Sequence, residues 1–122
     1  MNLFDSSALL CFLQGESGAD RVEEALIGGP AVCSAANWSE TAQRVLRLDG
    51  DWPSSRALLL SYQLTVEPVT REDAEVAAAL WRRGSGLSLA DRICLATGRR
   101  LAAVVWTADR AWGESELVRQ IR

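Results

Sequence analysis

Four carboxylates set the chemical question in this sequence: Asp5, Glu40, Asp91 and Asp109. Carboxylates brought together repel and raise one another's pKa unless a cation neutralises them. The sequence contains no His, so imidazole acid–base chemistry, His-dependent triads and His-rich metal sites are excluded. Cys11, Cys33 and Cys94 lie far apart among apolar neighbours and match no zinc spacing. A centre of oxygen donors alone suits Mg²⁺ or Mn²⁺. Such a centre activates water and stabilises charge on a phosphoryl oxygen during phosphodiester hydrolysis. Each acid also has a plainer reading as a helix cap or turn residue. Glu40 and Asp91 stand three residues after Asn37 and Ser88, the spacing of a capping box. Asp5 can cap the first helix, and Asp109 can open a turn. Singly these readings are the stronger ones; what favours a shared site is the place to which the elements carry all four.

Those elements follow from patterning. Asn2-Leu3-Phe4 is a short apolar run reaching Asp5, and Ala8 to Leu13 is apolar all round, which suits a buried helix. After Gly15-Glu16-Ser17-Gly18, Val22, Ala25 and Leu26 recur at helical spacing until Gly28-Gly29-Pro30. Ala31-Val32-Cys33 reads as a second strand. A helix is expected from Asn37 to about Leu48 and another from about Ser54 to Tyr62, with Leu64-Thr65-Val66 as a third strand. Thr70 opens a helix expected to reach Arg83, and Ser88 opens one using Leu89, Ile93 and Ala96. Ala103-Val104-Val105-Trp106-Thr107 is the strongest strand, followed by a weak one near Val118 to Ile121. Strands alternating with helix pairs predict a parallel sheet of four to five strands with helices on both faces. In such a sheet the strand carboxyl ends and the starts of the following helices share one edge, where ligands gather. Asp5 and Asp109 end strands, Glu40 and Asp91 start helices, and all four can meet there.

The bulk numbers agree with one globular domain over residues 1–122: 48% hydrophobic and 24% charged residues, enough for a core without staples. No apolar run approaches the roughly 18 residues of a membrane span, and the start lacks the basic flank of a signal peptide. The widely spaced cysteines read as reduced thiols, and a cytoplasmic protein is expected. All thirteen basic residues are Arg, within a net charge of −3. That balance does not advertise nucleic-acid binding by the whole surface, although individual guanidinium groups suit phosphate. Arg92 and Arg110, next to two of the acids, are candidate phosphate contacts, with exposed ion pairs as the equal alternative. The glycine clusters match neither Rossmann nor P-loop spacing. The five Trp are read as core or interface anchors.

Taken together, Asp5-Ser6-Ser7-Ala8-Leu9, Asn37-Trp38-Ser39-Glu40, Leu87-Ser88-Leu89-Ala90-Asp91-Arg92 and Thr107-Ala108-Asp109-Arg110-Ala111-Trp112 resemble the PIN domain, and more closely the VapC toxins of bacterial toxin–antitoxin pairs. The resemblance spans the chain in order. It implies a Rossmann-like three-layer α/β/α fold and a metal-dependent endoribonuclease that cleaves RNA until a cognate antitoxin binds it. Asp5, Glu40, Asp91 and Asp109 match the family's acidic quartet, and Ser6 and Thr107 match small hydroxyl positions supporting the first acid and the metal's waters. On this reading Asp5, Asp91 and Asp109 hold Mg²⁺ or Mn²⁺, Glu40 holds a second ion or orients the attacking water, and Ser6 and Ser7 cap the first helix. A homodimer is implied as well. The helix pair from Trp38 through Trp52 to Tyr62 carries apolar residues beyond the needs of one sheet face, a groove for an antitoxin helix. The alternative is a catalytically silent PIN-like module acting through that partner alone.

Overall fold

Strand β1 (Asn2–Phe4) is the centre of the molecule. In the computed structural model, which describes residues 1–122, it lies within a five-stranded sheet of order β3-β2-β1-β4-β5. The other strands are β2 (Ala31–Ser34), β3 (Thr65–Glu67), β4 (Val104–Thr107) and β5 (Val118–Gln120), and every pairing is parallel. Alternation along the strands sends successive side chains to opposite faces, and two cores result. Phe4 and Cys33 join Leu9, Val22, Leu26 and Leu59 on one face. Leu3, Val32 and Val105 join Cys94 and Val118 on the other. The first face is covered by α1 (Ser6–Gln14), α2 (Ala19–Ile27) and α4 (Trp52–Ser61). The second is covered by α6 (Leu89–Leu101), with α5 (Arg71–Ala79) packed on it. Helix α3 (Ala35–Arg47) packs against both α1 and α6. The three-layer α/β/α architecture expected from the sequence is present, with the fifth strand formed.

From β1 the chain winds outward to β2 and β3, then crosses back past β1 to β4 and β5. The order therefore reverses between β1 and β4, and the crevice at that reversal is where open α/β sheets bind ligands. Asp5 follows β1 there, and its backbone N–H continues the ladder to the Trp106 carbonyl at 3.1 Å.

Several boundaries differ from the sequence expectation, for local reasons. Helix α3 begins at Ala35, two residues before Asn37, because the buried Ser34 hydroxyl caps it by accepting the Asn37 N–H at 3.1 Å. Helix α4 begins at Trp52 rather than near Ser54: Asp51 caps it, and Pro53 falls in the first turn, where its missing N–H costs no hydrogen bond. Helix α5 stops at Ala79, short of Arg83, and the Arg82 guanidinium donates to the Ala79 and Trp81 carbonyls beyond its end. Trp81 and Leu89, expected as packing residues, are 56% and 59% exposed. Strand β3 is shifted one residue later, leaving Leu64 in the core and Thr65 opposite Val32.

Candidate acidic active site

Asp5 is 2% exposed and is itself the N-cap of α1, its Oδ1 accepting the Ala8 N–H at 2.8 Å. Ser6 and Ser7, expected to cap this helix, do not; the acid takes that role, and both hydroxyls turn to other partners. Ser7 Oγ lies 2.7 and 2.9 Å from the two Asp5 carboxylate oxygens and accepts the Ala108 N–H at 2.9 Å. Thr107 Oγ1 donates to Asp5 Oδ2 at 2.6 Å and accepts the Asp109 N–H at 3.0 Å. The start of α1 and the end of β4 are thus joined through one buried carboxylate. All of these partners are neutral. Burial consequently pushes the Asp5 carboxyl up to about 6, against the lowering effect of the bonds from Thr107, Ala8 and Ser7, and the negative charge of Asp91 adds to the rise.

Glu40 lies in the second turn of α3, so the capping-box reading does not apply to it. Its Oε1 accepts from Ser6 Oγ at 3.0 Å and from Asn37 Nδ2 at 3.1 Å. Asn37, fully buried, is oriented in turn by the Ser34 hydroxyl, which donates to its Oδ1 at 2.7 Å. Ser6 thus supports Glu40, not Asp5. Asp91 does form a capping box: its carboxylate accepts the Ser88 N–H at 2.9 Å, and its own N–H donates to Ser88 Oγ at 3.1 Å. Asp109 caps the short 3₁₀ turn Arg110–Trp112 by accepting the Ala111 N–H at 2.9 Å. Asp91 is the third residue of α6, behind its Ser88 cap, and Asp109 is the cap of its own turn, so both carboxylates are engaged locally.

Electrostatics ties three of the acids together. The buried Cys94 thiol is pushed well above its usual range, by burial first and then by the charges of Asp5, Cys33, Asp91 and Glu40. Cys33 is raised by burial, Asp5 and Glu40. Of the four acids, Glu40 and Asp109 line an open cleft of about 470 Å³ together with Ser6 and Ser7, while Asp5 and Asp91 do not reach it. A larger cavity of about 700 Å³ sits at the opposite, amino edge of the sheet, beside Pro30, Ala31 and Thr65, and contains none of the four acids.

Charge compensation is absent at the quartet. The three ion pairs join Arg100 to Glu67 and Asp73, and Arg122 to Glu16; none involves Asp5, Glu40, Asp91 or Asp109. Uncompensated carboxylates supported only by neutral donors are the chemistry of a hard-cation site. In the conformation observed, no three acidic, His or Cys side chains stand at ligating spacing; Asp91 and Asp109 are turned to their caps. Oxygen donors alone suit Mg²⁺ or Mn²⁺ in chemistry, and Asp5 and Glu40 are the two acids held by hydroxyls of other elements, Thr107 and Ser6.

The arginines sort differently from the sequence expectation. Arg92 Nη1 donates to the Ala77 carbonyl at 2.9 Å, tying α6 to α5, and its Nε is buried without a partner. Neither Arg92 nor Arg110 is in an ion pair, and Arg110 is exposed on the 3₁₀ turn. The cleft's basic residues are Arg44, Arg47 and Arg122. Ser7 and Asn37 were also missed as supporting residues, because a Ser or Asn near a helix start reads as a local cap.

Comparison with known proteins agrees with the fold. The PIN domain family matches residues 3–114. Over 90 residues the sequence is 38% identical to a VapC ribonuclease of Mycobacterium bovis and to ribonuclease VapC42 of Mycobacterium tuberculosis, covering 69% of this chain and 69% of each relative. Among solved structures, a toxin–antitoxin complex from Klebsiella pneumoniae superposes with a TM-score of 0.78 at 23% identity, covering 100% of this chain and 98% of the other. Mycobacterium tuberculosis VapC20, a Sarcin-Ricin loop cleaving toxin, gives 0.73 at 22% identity over 95% and 98% of the two chains. The chain belongs to the PIN domain family, among its VapC ribonucleases.

Proposed function

We propose that this PIN domain is an endoribonuclease toxin that hydrolyses RNA phosphodiester bonds at the Asp5–Glu40–Asp91–Asp109 edge and is held inactive by a cognate antitoxin. The observation that carries the catalytic reading is Asp5: a buried carboxylate, without a cationic partner, at the β1/β4 reversal of a parallel sheet. Its relatives' names support the substrate class.

Asp5, Asp91 and Asp109 would hold the cation, with Glu40 beside them. Bound Mg²⁺ or Mn²⁺ would lower the pKa of water and neutralise charge on the phosphoryl group. The protein's own work is positioning. Ser7 and Thr107 fix both Asp5 oxygens, and Ser6 and Asn37 fix Glu40, whose carboxylate would orient an attacking water. In-line attack by hydroxide on phosphorus forms the new P–O bond and breaks the bond to the 3′-oxygen, which leaves with a proton from solvent. No His or Lys is available for metal-free acid–base cleavage.

The antitoxin and a homodimer belong to the same proposal. Leu46, Leu48, Leu58 and Leu60 are 44–58% exposed along α3, the following turn and α4, and Trp38 and Trp52 stack edge to face at 5.1 Å between these helices. An apolar surface of this kind suits an amphipathic helix. The test is cleavage of total RNA in Mn²⁺ by wild type, Asp5→Asn and Asp91→Asn, with a chelator control. Activity in wild type alone, removed by the chelator, is expected; equal activity in all three overturns the assignment. Growth arrest on expression, relieved by Asp5→Asn, would separate enzyme from silent module.

A further inference from the structure

The cleft beside the acids has a basic wall that the acidic net charge conceals. Glu40, Gln43, Arg44 and Arg47 all line it, and their spacing of three, four and seven residues places them along one face of α3. At about 1.5 Å per residue, Arg44 stands about 6 Å and Arg47 about 10 Å beyond Glu40 along the helix axis. Both are exposed. Neither guanidinium makes an ion pair, and neither side chain makes a hydrogen bond; the cleft's third arginine, Arg122, is paired to Glu16 at 3.3 Å. Two unpaired planar cations therefore stand in line with the acid proposed to orient water.

We propose that Arg44 and Arg47 are the phosphate-guiding residues of this site, holding backbone phosphates of RNA that flank the bond to be cut. The proposal rests on the ribonuclease reading above and names the part of the protein that receives the substrate. Guanidinium forks bind phosphate oxygens bidentately, and these two are the unpaired arginines that line the cleft holding Glu40 and Asp109. Arg44 and Arg47 also complement the negative end of the α3 dipole, a role that would affect stability but not RNA binding.

The test uses the Asp5→Asn protein, so that RNA is not consumed, and a short fluorescein-labelled single-stranded RNA of mixed sequence. Affinity is measured by anisotropy across a range of salt concentrations for this protein, for added Arg44→Gln/Arg47→Gln, and for added Arg44→Lys/Arg47→Lys. Loss of two phosphate contacts reduces the slope of log affinity against log salt by about 1.4, at about 0.7 per phosphate on a single strand. The lysine pair keeps the slope, which shows that charge and not helix integrity is being read. An unchanged slope in the glutamine pair overturns the proposal, and does so without touching the ribonuclease reading if wild type still cleaves RNA. Failure of wild type to cleave and of Asp5→Asn to bind overturns both. If the glutamine pair instead loses affinity for a polyglutamate peptide and none for RNA, the wall docks an acidic protein and the phosphate assignment is wrong.

Discussion

Asp5 caps α1 and is the buried acid of the proposed site, and its titration separates the two duties. Its folded-state pKa of about 6 exceeds the ordinary 3.8, so the folded chain binds the proton more tightly than the unfolded chain. Stability is then fully present below about pH 4 and is lost as pH rises through about 6, by about 3 kcal/mol in total. Asn caps a helix about as well as Asp and never ionises. Asp5→Asn should therefore flatten the decline in urea midpoint between about pH 4 and 6, and at neutral pH should be as stable as wild type or more so. Marked unfolding would return Asp5 to structural duty. Ser7→Ala should cost about 1–3 kcal/mol in denaturant unfolding, because the Ala108 N–H loses its acceptor. At this scale the sequence was informative about the acids and poor on their supports. Asp5 was legible from its place after an apolar run. Ser7 and Asn37 were not: partners of Ser7 lie about a hundred residues away, and Asn37, beside a helix start, reads as a local cap.

At the scale of elements, the site exists because β4 returns beside β1, and that contact depends on how closely α6 approaches the sheet. A Cβ at Gly98 would meet Val105 Cγ2 at 2.6 Å and Leu3 Cδ2 at 3.5 Å. Both neighbours belong to central strands and have little room to move, so Gly98→Ala should destabilise by about 1–3 kcal/mol. A variant as stable as wild type in thermal unfolding would contradict this close packing. Asp91 divides differently: Asp91→Ala removes its capping-box bonds at about 1 kcal/mol, and any loss of cleavage beyond the unfolded fraction reports its role in the site. Strand and helix order, and the parallel sheet, were readable from periodicity and turn residues. The start of α3 was not, because Asn37 and Ser34 are both good caps and the choice is made by the sheet pairing that ends β2 at Ser34.

Across the whole molecule, the four acids of the proposed site take part in none of the three ion pairs, and two of them, Glu40 and Asp109, share a cleft with the unpaired Arg44 and Arg47. No helix is long and apolar enough to cross a membrane. Saturating the acids with a divalent cation should raise folding stability by about 2.7 kcal/mol at a hundredfold excess over Kd. Thermal unfolding with and without Mn²⁺ should show this in wild type and not in Asp5→Asn. The central claim is the chemistry itself: water, oriented at carboxylates, displaces the 3′-oxygen of RNA. It is tested most directly by the ends of the cut strands. Hydrolysis at this site predicts 5′-phosphate and 3′-hydroxyl termini, produced only with a divalent cation present. Fragments ending in a 2′,3′-cyclic phosphate, or formed equally in chelator, would contradict it.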